Sequence, residues 1–201
     1  MPRYVPALDE FRLAARYGNL IPVYREILAD LETPVSAFKK IDSGNYAFLL
    51  ESVEGGEKWA RYSFLGSNPA SVFRCTGREA ELRWGEGCER WSVAQDPLAD
   101  LRRILSRYRP VAVEGLPRFF GGAVGYLSYD AVRFFERLPD LDREPSGVPD
   151  TLFLLTDTLL IFDTITHRIK VGSNAFVPEP DDAHLEAAYA DHGEGSSGNP
   201  G

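Results

Sequence analysis

The stretch Leu49-Leu50-Glu51-Ser52, with Arg61 a short loop further on, is the part of this sequence best suited to holding a ligand. In a strand with a period of two, Tyr46, Phe48, Leu50 and Ser52 share one face, and Ala47, Leu49 and Glu51 share the other. Ser52 therefore ends an apolar stripe, where a buried hydroxyl needs a partner. A carboxylate and a hydroxyl beside an apolar wall suit a zwitterionic aromatic ligand. Glu51 would accept from its ammonium, and Ser52 or strand-end amides would donate to its carboxylate. The same residues also read as an ordinary strand end running into the charged loop of Glu54, Glu57 and Lys58. Arg61 opens the returning strand and fits either reading, since it could pair with Glu51 across a hairpin. The residues alone leave both readings open.

Other chemistry is less well supported. His167, His184 and His192 lie beside no cysteine or carboxylate pair at ligand spacing, which argues against a zinc site or a histidine-based triad. The run Gly121-Gly122-Ala123-Val124-Gly125 lacks the Lys-Ser/Thr ending of a phosphate loop. It continues into Tyr126-Leu127-Ser128-Tyr129 as strand, where glycine permits close backbone packing. Asp130 is expected to cap a short helix, 131–136. Trp84 and Trp91, flanking the turn at Gly85–Gly87, are expected to form a cross-strand pair.

The elements that position these residues are legible from patterning. Leu8, Phe11 and Ala15 recur at helical spacing before Gly18. Thr33-Pro34 and Asp96-Pro97 each read as an N-cap followed by proline at the first helical position. They open one helix ending at Lys39-Lys40 and another through Tyr108. A weak fourth helix covers 181–190. Strands are expected at 45–53, 61–66, 70–76, 79–84, 89–94 and 167–173, the three from 70 to 94 forming a meander. Residues 152–162, nearly all apolar, read as one central strand. Clustered strands with single helices between them predict an α+β fold with largely antiparallel sheets. One domain is expected over 1–190, followed by a disordered tail over 191–201 (DHGEGSSGNPG) that has no large apolar residue.

Composition narrows the function classes. The 201 residues are 44% hydrophobic and 26% charged, with 22 Lys+Arg against 30 Asp+Glu and a net charge of −8. That balance argues against nucleic acid or an anionic membrane as partner, because phosphate binding depends on clustered cations. No apolar run reaches the length of a membrane-spanning helix. The first ten residues carry no secretory apolar region, so a cytoplasmic protein with Cys75 and Cys88 reduced is expected.

Several stretches taken together resemble the N-terminal region of anthranilate synthase component I, a chorismate-using enzyme family of tryptophan biosynthesis. They are Leu20-Ile21-Pro22-Val23-Tyr24, Asp30-Leu31-Glu32-Thr33-Pro34-Val35-Ser36-Ala37, and Phe48-Leu49-Leu50-Glu51-Ser52-Val53-Glu54-Gly55-Gly56-Glu57. Arg61-Tyr62-Ser63-Phe64-Leu65-Gly66 and Gly121-Gly122-Ala123-Val124-Gly125-Tyr126-Leu127-Ser128-Tyr129-Asp130 complete the set. The resemblance implies that Leu50, Glu51 and Ser52 contribute to a feedback site for L-tryptophan, with Arg61 a looser assignment because the loop before it varies. It implies partners as well, a glutamine amidotransferase subunit (component II) and a C-terminal half. In the family that half holds chorismate and Mg²⁺, and nothing in this sequence matches it. This chain is therefore expected to bind no metal and to be inactive alone. The homologous subunit of 4-amino-4-deoxychorismate synthase, in folate synthesis, is the alternative within the family. A stand-alone amino-acid-binding module is the alternative outside it.

Overall fold

The computed structural model describes residues 4–51, 61–137, 147–179 and 181–194, with side chains to 191. In chain order its elements begin with α1 (Leu8–Ala14), β1 (Leu20–Leu28), α2 (Pro34–Ile41), β2 (Ala47–Leu50) and β3 (Tyr62–Ser67). A meander follows, of β4 (Ser71–Thr76), β5 (Glu79–Trp84) and β6 (Gly87–Ser92), and then α3 (Pro97–Leu105) and β7 (Gly122–Leu127). After a 3-10 helix (Tyr129–Phe134) come β8 (Thr151–Thr156), β9 (Thr158–Asp163), β10 (Arg168–Phe176) and α4 (Asp182–Glu194). The strands form two five-stranded sheets, ordered β1-β10-β9-β3-β2 and β6-β5-β4-β8-β7. All strand pairs are antiparallel, so the α+β class with antiparallel sheets is the architecture found.

The chain divides into two compact units. The first takes residues 1–68, 108–121 and 157–201 and holds the β1-to-β2 sheet, and the second takes 69–107 and 122–156. In the first unit one face of the sheet is covered by helices. Phe11 and Ala15 from the α1 region and Leu185 from α4 pack on Ile21, Val23, Ala175 and Val177. Further along the same face, Ala37 of α2 packs with Leu65, Phe162 and Ile169, joined by the half-buried Leu49. The α2 start is held by reciprocal bonds, with Ser36 N donating to Thr33 Oγ1 at 3.0 Å and Thr33 N to Ser36 Oγ at 2.9 Å. In the second unit Phe73, Cys75, Ala80 and Leu82 are buried on one face. There Trp91 stacks on Phe73 at 6.0 Å and Arg103 of α3 lies over the Trp91 ring at 5.3 Å. Asp96 caps α3 through Ala99 N at 2.8 Å. On the opposite face the buried Glu81 carboxylate collects Arg74 at 2.8 Å, Arg90 at 2.7 Å and Arg83. Burial pushes its pKa up and the three guanidiniums pull it down, the net result being about 2.

Several sequence expectations are corrected. Residues 152–162 are two strands in different sheets, parted at Asp157, whose carbonyl accepts from Asn174 N at 2.8 Å and Nδ2 at 3.0 Å. Strand β1, with Pro22 inside it, is an element the patterning does not predict. Pro22 lies opposite Asn174, whose N–H turns away toward Asp157, so the missing proline donor breaks no ladder bond on this edge strand. The strand expected at 45–53 spans Ala47–Leu50 within the described residues. Trp84 faces Gly87 and Trp91 faces Ala80, so the two indoles are not a cross-strand pair. The helix after Gly121–Tyr129 is 3-10, starts at Tyr129, and has no side-chain cap from Asp130. Helix α3 stops at Leu105, short of Tyr108. Helix α4 runs to Glu194 and so takes in the first residues of the expected tail, while 195–201 lie outside the described residues.

A β-carbon on Gly125 would sit 1.9 Å from the Leu152 carbonyl oxygen and 2.7 Å from Phe153 Cα, both backbone atoms of β8. At Gly87 the obstacle is only the Trp84 side chain. Gly125→Ala is expected to destabilise the protein by about 1–3 kcal/mol, and Gly87→Ala by less. Urea unfolding checks both, and an unchanged midpoint for Gly125→Ala would contradict this close approach of β7 to β8.

Candidate functional site

Strand β2 pairs with β3 in the register Ala47↔Ser67, Phe48↔Gly66, Leu49↔Leu65 and Leu50↔Phe64. Opposed residues in an antiparallel pair share a face, so Leu49 points into the α2 core with Leu65. Phe48, Leu50 and Phe64 line the other face, as the alternation predicted. The Phe48 ring packs directly over Gly66, where a β-carbon would lie 2.4 Å from Phe48 Cε1. Phe64 meets Phe119 edge-on at 5.1 Å and lies 6.3 Å from the Tyr62 ring. Leu50 is 44% exposed at the end of this wall. Glu51 follows it, exposed, and bonds to none of the described residues. Ser52 lies outside the described residues. The described residues thus present an apolar wall at this end of the sheet, with an exposed carboxylate one residue beyond β2.

Arg61 is held elsewhere than across the hairpin. Its Nε donates to Asp163 Oδ1 at 3.0 Å and its Nη2 to Asp163 Oδ2 at 2.6 Å, a bidentate pair in which Asp163 is buried. Its guanidinium also lies 4.9 Å from the Tyr62 ring. Two of five guanidinium donors are thereby used, and the group is fixed at the start of β3. Asp163 also accepts from the Ile165 and Thr166 amides at 3.2 and 3.4 Å, so one carboxylate anchors β3 and the turn between β9 and β10. Burial raises its pKa, but the bonds from Arg61 and Thr166 outweigh that and bring it from 3.8 to about 2.

Composition alone did not reveal a polar group on the same sheet face. Lys170 is 7% exposed, pairs with Glu26, and lies 5.2 Å from the Tyr24 ring. Arg168 holds the other Glu26 oxygen at 2.9 Å, and Lys170 and Arg168 lower the Glu26 pKa against the opposing effect of burial. Tyr24 OH donates to Glu114 O at 3.0 Å, and Asn174 Nδ2 to Phe120 O at 2.7 Å, so residues 114–120 are tied across this face. The register supplies the missing signal, since Tyr24, Glu26, Lys170 and Asn174 share one face only once β1 is paired with β10.

Among the described residues no three His, Cys, Asp or Glu side chains come together as a metal site. No helix among them is long and apolar enough to cross a membrane. Cys75 and Cys88 are unpaired.

The depressed Asp163 pKa has a defined sign. The Arg61 pair is intact above the ordinary aspartate value and is lost as pH falls through about 2. The buried carboxylate contributes on the order of 2 kcal/mol at neutral pH. Asp163→Asn should therefore lower the urea midpoint at pH 7 and flatten its fall between pH 5 and 2. Glu81 adds acid dependence to both proteins, so the difference between the two curves is the readout.

No protein-family model matches the sequence. Anthranilate synthase component 1 of Acetivibrio thermocellus is 39% identical over 186 residues, 92% of this chain and 37% of that protein. The Synechocystis protein of that name is 41% identical over 187 residues, 92% of this chain and 36% of the relative. That of Pseudomonas aeruginosa is 42% identical over 167 residues, 80% of this chain and 33% of the relative. The crystal structure of anthranilate synthase component I from Streptococcus pneumoniae TIGR4 matches with a TM-score of 0.52 at 21% identity, over 87% of this chain and 37% of that one, a likeness of fold. This chain is thus homologous to the N-terminal region of anthranilate synthase component I, and spans just over a third of the length of the Acetivibrio thermocellus and Synechocystis relatives.

Proposed function

We propose that this chain is the regulatory part of an anthranilate synthase component I, and that it takes L-tryptophan at the end of β2. The observation that carries this reading is the apolar wall of Phe48, Leu50 and Phe64, followed by the exposed Glu51, which has no partner among the described residues, on a chain homologous to a tryptophan-pathway enzyme. The indole lies against Leu50 and the Phe48–Phe64 face. Glu51 accepts from the ammonium. Ser52, by residue type, donates to the carboxylate. Arg61 still has donors beyond those used on Asp163, but its fixed position gives it a supporting role.

In the whole enzyme, the reaction is the amination of chorismate with ammonia from a glutaminase subunit, followed by loss of pyruvate. The Mg²⁺-dependent chemistry belongs to the portion that this chain does not span. Tryptophan here would disfavour the chorismate-competent state, and such coupling between sites is typically about 1–3 kcal/mol. The relatives described above bear the anthranilate synthase name, which favours this reading over 4-amino-4-deoxychorismate synthesis.

Calorimetric titration of L-tryptophan, with L-phenylalanine as control, tests the site. Saturable binding is expected for tryptophan, weakened about tenfold or more by Glu51→Gln and by Ser52→Phe. Binding that is indifferent to both substitutions would move the site elsewhere. Absence of binding both here and in a longer protein containing this chain would reject it.

A further inference from the structure

The edges of the two sheets are β1, β2, β6 and β7, and they are protected unequally. Residues Val5 and Pro110 bridge onto β1, which also carries Pro22, Arg25 and Glu26. Strand β6 carries Glu89 and Arg90. Strand β2 is only four residues long. Strand β7, Gly-Ala-Val-Gly-Tyr-Leu, has six residues with no charge and no proline, and among the described residues it pairs with β8 alone. Its Tyr126 and Leu127 are 39% and 40% exposed, and beyond it Tyr129 and Phe135 are 89% and 52% exposed. An open ladder and a run of exposed large apolar groups thus coincide in one stretch of chain, where an isolated sheet would ordinarily carry lysine or proline.

We infer that β7 is an inner strand of a larger sheet, and that its open edge takes a further β-strand from the part of anthranilate synthase component 1 that this chain does not span. The chain covers 37% of the Acetivibrio thermocellus relative, so most of that protein's length is available to supply the strand. The occupant is an extended, uncharged segment. Main-chain bonds supply the pairing, and apolar side chains on both faces cover Tyr126 and Leu127. A second copy of this chain fits less well, because each copy carries −8 and the two would repel. The inference rests on the homology and is independent of the tryptophan site.

Hydrogen exchange read by mass spectrometry tests it. The chain is measured alone and with the separately expressed remainder of the Acetivibrio thermocellus protein. If that remainder is insoluble, residues 1–190 are instead fused ahead of it. Alone, alternate β7 amides should exchange fast. In the complex or fusion they should slow by roughly tenfold or more, and Tyr126→Lys should weaken the complex to a similar degree. Unchanged β7 exchange in a formed complex or folded fusion overturns the proposal, as does failure of both to assemble. Slow exchange in the chain alone that quickens on dilution overturns it too, and assigns the edge to a second copy. These outcomes read β7 and not the ligand, so they stand whatever the tryptophan titration shows.

Discussion

One buried carboxylate, Asp163, closes three pieces of chain at once. It ends β9, receives the Arg61 guanidinium from the start of β3, and accepts amides from the turn that leads into β10. A buried carboxylate is tolerable only when its oxygens are this fully occupied. The same bonds fix where β3 begins, and the β2–β3 register then fixes where Phe48 and Leu50 point. The candidate site therefore depends on an ion pair whose cation, Arg61, is spent largely on the frame. Arg61 belongs to the frame of the site before it belongs to any ligand.

The first unit is assembled from distant segments. Strand β1 pairs along its whole length with β10, Leu20 against Phe176 and Leu28 against Arg168. This long-range closure places Glu26 beside Lys170 and Tyr24 under residues 114–120. The second unit is more local in sequence. Its meander turns at Gly77 and Gly85, both at positive φ, and the following helix starts on a side-chain cap. Local elements of this kind lose little loop entropy in forming, whereas the β1–β10 pairing must close nearly the whole chain.

That difference also explains what could be read from the sequence. Thr33-Pro34 and Asp96-Pro97 act within one helical turn, so the residues that decide the structure are neighbours, and both helices start where the pattern placed them. The alternation of Phe48, Leu49 and Leu50 likewise set the two faces of β2 correctly. Features decided by remote partners were not legible. Pro22 is acceptable in a strand only because its neighbour's N–H turns to Asp157. The apolar run from 152 to 162 changes sheet at that same Asp157 because Asn174 captures its carbonyl. By sequence Arg61 could face Glu51 across a hairpin, but Asp163 takes it in a bidentate pair through both carboxylate oxygens. At the candidate site, then, the two faces of β2 could be read from alternation, while the anchor of Arg61 could not.

A short edge strand is a favourable place for an effector to act. Among the described residues strand β2 has four residues and one neighbouring strand, whereas β9 and β10 each have strands on both sides. Local opening free energies follow such differences in support, so the β2 end needs little free energy to rearrange while the sheet beneath it stays fixed. A ligand bound there at a hundred times its Kd stabilises the form it binds by about 2.7 kcal/mol. That exceeds the net worth of a single main-chain hydrogen bond, about 1 kcal/mol, and so is enough to set the arrangement of a four-residue edge. It is far less than would be needed to disturb β9, whose end is locked by Arg61 and Asp163. In the proposed reading the fold would confine a response to the hairpin end, and coupling to a distant site would begin with how that end is held.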